Sequence, residues 1–199
     1  MIRCSNTGLV LICCLFMFFS CTSPAKRNTG TELFSIDSLI TAQARYLSGK
    51  KVTITKVSSI NAKNDQMATT PKDTSAWRKE LEIFTTLDLI NKPLNRSLYK
   101  IERIQDSKSN LNIKAFSTTE KLPVRYLKIY YHQNMDRIRK IEAEYDESNA
   151  LFSGSRFLSM EFSQRDDKAV LTSYRVIGGQ KMFLDDTVQY SIQTLLKIN

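Results

Sequence analysis

The stretch Val124-Arg-Tyr-Leu-Lys-Ile-Tyr-Tyr-His-Gln-Asn-Met-Asp-Arg-Ile-Arg-Lys-Ile-Glu-Ala-Glu-Tyr145 decides the fold. Two runs alternate apolar and polar residues, and Gln133–Asp136 between them has the composition of a turn. Leu127 and Ile129 share one parity, as Ile141, Ala143 and Tyr145 do on the second run. Lys128 then faces Glu142 on the wet side, which favours that register of an antiparallel hairpin.

The same pattern recurs on both sides of this hairpin. Tyr99–Ile104 and Leu111–Phe116 precede it; Leu151–Phe162, Ala169–Val176, Met182-Phe-Leu184 and Val188–Leu196 follow. Turns are expected at Asp106–Asn110, Gln164–Lys168 and Asp185-Asp186. These spacings leave no room for crossover helices, so the strands pair as hairpins. Ser153-Gly154-Ser155 reads as a bulge or turn, and Gly178-Gly179 as a strand break or bulge.

Helices are expected ahead of the meander. Ile36, Leu39, Ile40 and Leu47 follow helical spacing from Phe34 to Leu47, with Ser35 as N-cap and Gly49 as the stop. Val52-Thr53-Ile54 begins a strand, and Asn61–Lys72 is a polar segment. A second helix, capped by Asp73, Thr74 or Ser75, carries Trp77, Leu81, Phe84 and Asp88 on one stripe until Pro93 closes it. The fold class is therefore α+β: two N-terminal helices packed on a curved antiparallel sheet of about seven to nine strands, a half-barrel-like meander. Trp77, Leu81 and Phe84 are read as core rather than as a cofactor box.

Composition agrees with one globular domain. The chain has 199 residues, 42% hydrophobic and 25% charged, with 6 Gly and 4 Pro. Collagen-like, disordered and many-pass membrane classes are excluded.

All four cysteines, Cys4, Cys13, Cys14 and Cys21, lie in the first 21 residues. Arg3 is followed by the apolar run Leu9–Phe19, too short for the ~20 residues that span a bilayer. Basic start, short apolar run and small residue make a secretory signal peptide. Ser20-Cys21 resembles the lipobox of bacterial lipoproteins, although Phe18 and Phe19 stand where that pattern favours leucine and a small residue. The resemblance implies cleavage between Ser20 and Cys21 and lipidation of Cys21, giving membrane attachment through its acyl chains. A plain signal peptide cut near Ser23 and an uncleaved anchor are the alternatives. On the lipoprotein reading, 1–20 is signal peptide, 21–31 an acylated tether and 32–199 a single α+β domain. The domain then has no disulfide to rely on.

The leader holds one basic residue, Arg3, and no acidic one, so the +9 of the whole chain becomes +8. An exported protein of that charge meets anionic lipid or cell-wall partners, not nucleic acid. The basic residues are scattered, as on a solvated surface. Lys26-Arg27 occupies the place where lipoproteins of Bacteroidota-type bacteria carry an acidic stretch that resembles a surface-export signal, so the periplasmic face is expected. Thr22 is not the Asp that retains some lipoproteins at the inner membrane, so the expected location is the outer membrane.

No catalytic, metal or cofactor site is expected. His132 is the lone histidine, and one histidine cannot build a His-rich metal site. The pairs Asp166-Asp167 and Asp185-Asp186 fit turns better than paired carboxylates, because neighbours on a strand face opposite ways. No nucleophile-elbow, zinc-protease or phosphate-loop motif occurs.

Trp77-Arg-Lys-Glu-Leu-Glu-Ile-Phe84, Asp88-Leu-Ile-Asn-Lys-Pro93, Tyr99 and Tyr174-Arg-Val-Ile-Gly-Gly-Gln-Lys181 together resemble uncharacterised lipoproteins of Bacteroidota-type bacteria. Those carry a lipobox, a W-x-KEL-x-x-F helix ending in an NKP turn, and a strand meander; here Leu89 is an extra residue in the turn. The resemblance implies a compartment and no activity. The expected function is a non-catalytic envelope lipoprotein engaging a protein or cell-wall partner. The alternative is a carrier of lipid or another apolar ligand on the concave face of the sheet.

Overall fold

The computed structural model describes residues 34–182 and 186–198. The expected signal peptide, the Ser20–Cys21 cleavage site and the tether lie outside the described residues, as do Phe183, Leu184 and Asp185. Phe34 to Asn199 forms one compact unit.

Helix α1 spans Ile36–Ser48, with the Ser35 side chain accepting from Ser38 N at 3.1 Å. Gly49 ends it at φ −82°, without the left-handed turn its identity suggests. Next come β1 (Val52–Ile60) and β2 (Lys63–Thr69), then α2 (Thr74–Glu80), α3 (Glu82–Thr85), a 3₁₀ segment (Thr86–Asn91) and α4 (Pro93–Arg96). Seven strands complete the chain: β3 (Lys100–Gln105), β4 (Asn112–Ser117), β5 (Val124–Tyr131), β6 (Ile138–Ser148), β7 (Phe152–Arg165), β8 (Lys168–Met182) and β9 (Val188–Ile198). They form one open antiparallel sheet in the order β2-β1-β9-β8-β7-β6-β5-β4-β3. The fold is α+β, and among the described residues no helix is long and apolar enough to cross a membrane.

The deciding hairpin is paired as its sequence indicates, with Leu127 opposite Ala143, Lys128 opposite Glu142 and Ile129 opposite Ile141. Its register continues across the sheet. Ile101, Phe116, Leu127, Ala143, Leu158, Val176 and Ile192 lie in one row from β3 to β9. The opposite face carries Lys128, Glu142, Ser159, Arg175 and Gln193. Alternation makes the first face largely apolar and the second largely polar, with β4 departing from it, where Ile113 to Phe116 are buried in succession.

Several expectations are corrected. Only α1 precedes the sheet, because the polar segment after Asn61 contains strand β2 and the other helices follow it. Asn61 and Ala62 adopt φ 45° and 67°, which suits a tight two-residue hairpin turn. Lys63–Ala68 is wholly exposed at the sheet edge, so no burial imposes an alternating pattern on it. The second helix is not continuous; it breaks at Leu81 (φ −101°, ψ 6°) and tightens into the 3₁₀ segment. Pro93 opens α4 at its first turn, where a missing N–H costs nothing.

The glycine expectations also change. β8 runs unbroken through Gly178 and Gly179 and reaches Met182, so no separate strand starts there. A Cβ on Gly178 would lie 2.6 Å from the Tyr190 hydroxyl and 2.8 Å from Ser155 O. Gly178 is there because Tyr190 lies across the sheet over it. Ser153-Gly154-Ser155 pairs in regular register with both neighbours. The irregularity between β7 and β8 falls instead at Glu161/Phe162, with Thr172 as the extra residue.

Candidate functional site

Two polar clusters tie the helical segments to the strands and to each other. The first is at the start of α1. Asp88, on the 3₁₀ segment, accepts from Ile36 N at 2.8 Å and from the Asn91 amide at 2.9 Å. Asn91 also donates to Phe34 O at 3.0 Å. A carboxylate facing the first N–H groups of a helix satisfies orphan donors and complements the helix dipole. Asn95 donates to Leu89 O at 2.9 Å and the Arg96 guanidinium to Asn91 O at 3.2 Å, which fixes α4 beside the same corner. An open cavity of about 350 Å³ lies here, lined by Thr85, Thr86, Asp88, Leu89, Asn91 and Lys92.

The second cluster joins α2 to the sheet. Glu80 pairs with Lys56 Nζ of β1 at 2.8 Å and accepts from the Tyr174 hydroxyl of β8. Burial pushes the Tyr174 phenol far above its ordinary range, and the Glu80 carboxylate adds to the effect. The Tyr174 ring meets Phe84 edge-on, centroids 5.5 Å apart. Lysine and phenol around one carboxylate could shuttle a proton, but Lys56 and Tyr174 are both engaged by Glu80. The arrangement reads as a fastening of α2 to β1 and β8.

The interior between the elements is apolar. Ile36, Ile40, Leu47, Trp77, Leu81, Phe84 and Leu87, all 0% exposed, share one cluster with Ile54, Leu127, Ile129, Leu158, Met160 and Val176. On the polar face Tyr130 donates to Glu142 at 2.8 Å, and Lys140 lies 2.6 Å from the same carboxyl. Burial tends to raise Glu142, but the Lys140 and Tyr130 contacts outweigh it and hold the group below its ordinary value.

The candidate residues from the sequence fall apart spatially. His132 lies in the β5–β6 turn, its backbone N donating to Arg137 O at 3.0 Å. Asp166 and Asp167 form the β7–β8 turn at φ 48° and 58°. Asp185 lies outside the described residues. Among the described residues, no group of three or more His, Cys, Asp or Glu side chains could hold a metal ion. Sequence reading missed the Lys56–Glu80–Tyr174 cluster, in which Glu80 and Tyr174 are 94 residues apart and no local pattern links the members. It also missed the exposed leucines at α4, although Leu94 and Leu98 stand one helical turn apart beside Lys92 and Arg96. No family model, curated protein or solved structure matches this chain.

Proposed function

We propose that the chain is a non-catalytic envelope lipoprotein. Cys21 carries the acyl anchor, the location is the periplasmic face of the outer membrane, and the domain engages a protein or cell-wall partner through its surface. In this reading the helices lie in the hollow of a curved, half-barrel-like sheet and fill it. The supporting observation is the packing of Trp77, Leu81 and Phe84, each 0% exposed, in the same cluster as the sheet's apolar row. A ligand carrier needs that space empty. The cavity of about 350 Å³ lies outside it, an open hollow lined by Thr85, Thr86, Asp88, Leu89, Asn91 and Lys92.

The test is ligand uptake by the purified lipoprotein. A fluorescent fatty acid should show no saturable binding, and detergent-free preparations should hold no bound lipid beyond the covalent chains. Saturable micromolar uptake, with lipid extracted in near-equal amount to protein, would replace this reading with the carrier.

A further inference from the structure

We infer that the α4 corner, Lys92 to Leu98, is a second membrane contact that rests on the surface of an anionic bilayer. Leu94 is 87% exposed and Leu98 44% exposed. Single exposed leucines are ordinary, but these two are one helical turn apart. Lys92 and Arg96 are exposed between and beside them. Apolar side chains projecting among cations suit the boundary between acyl chains and anionic headgroups. The neighbouring carboxylates are engaged elsewhere: Asp88 on the α1 amides, and Glu102 with Lys100 at 2.9 Å.

The corner is also held rigid and held in the right place. Pro93 sets the first turn of α4, and the Asn95 and Arg96 bonds to Leu89 O and Asn91 O fix its orientation. Phe34, where the chain from the tether enters the described domain, is bound by Asn91, the residue before Lys92. Twelve residues lie between Cys21 and Phe34, a reach of at most ~47 Å at ~3.3–3.6 Å per residue. An anchor at Cys21 is therefore compatible with this corner, at the strand ends where β3 begins, reaching the membrane surface. The α4 contact rests on the anchored reading, and adds a weak reversible attachment to a firm covalent one.

The test places a fluorophore at Leu94→Cys in the full chain, reconstituted in vesicles with or without phosphatidylglycerol. Asn110→Cys, in the turn at the far end of β3, serves as the comparison. The unsubstituted chain is treated with the same maleimide dye. It should stay unlabelled, since lipidation blocks Cys21 and the leader cysteines are gone; labelling there means the anchored reading has failed. With the parent unlabelled, the probe at 94 should shift to the blue and be quenched by acyl-chain nitroxides several-fold more than at 110. Lys92→Gln with Arg96→Gln should abolish the phosphatidylglycerol dependence. Equal quenching at 94 and 110, or a blue shift at 94 that follows protein density rather than lipid charge, would overturn the membrane contact.

Discussion

Gln43 shows how one residue can decide where a helix sits. It is buried on α1, and its amide donates to Ala169 O at 2.8 Å and accepts from Leu171 N at 2.9 Å. These β8 groups lie before Ser173, where the pairing with β9 starts, so the side chain completes a ladder the strand leaves open. Gln43→Leu would orphan both groups, at about 1–3 kcal/mol each. Urea unfolding should show that loss, and an unchanged midpoint would refute the bridging role. Tyr174 gives a pH-dependent counterpart. Its folded pKa is raised, so its contribution is complete below the ordinary phenol value of ~10 and is lost as pH rises toward the folded value. Stability should fall above pH ~10 by up to ~1.4 kcal/mol per unit for such a group, and Tyr99, pushed up to about 12 by burial, adds to the slope. Tyr174→Phe should flatten the curve above pH ~10; parallel curves would contradict the assignment.

At the scale of elements, the join between α1 and the 3₁₀ segment depends on Asp88. Asp88→Ala should cost about 1–2 kcal/mol, as losing a helix cap does. Hydrogen exchange should speed up at Ile36 and Asp37 before it does in the sheet, whereas uniform exchange would argue against a local cap. Trp77→Ala should cost about 3–5 kcal/mol, the range for truncating a large buried aromatic; a loss below ~1 kcal/mol would mean that α2 is not part of the core. Elements with one buried face were legible in the sequence: β5 and β6 by their alternation, and α1 by its Ser35 cap and 3.6-residue stripe. β2 was not, because an edge strand exposed along nearly its whole length has no face to mark. The break at Leu81 was also hidden, since Trp77, Leu81 and Phe84 keep helical spacing through it. The α1–Asp88 join and the Lys56–Glu80–Tyr174 cluster link distant segments, and local spacing carries no trace of such links.

At the scale of the molecule, α1 to α3 contribute side chains to the same buried cluster as the apolar row of the sheet. On the reading proposed above, the working surface is the outside: the polar strand face, the edges and the α4 corner. In that reading the protein acts by where it is held and what it touches, so the anchor is the central claim. Labelled palmitate fed to bacteria expressing the wild-type chain and Cys21→Ser tests it most directly. The account predicts label on the wild type, and on Cys13→Ser and Cys14→Ser, but an unlabelled, larger precursor for Cys21→Ser. Palmitate on the Cys21→Ser protein, or an unlabelled wild type, would contradict it.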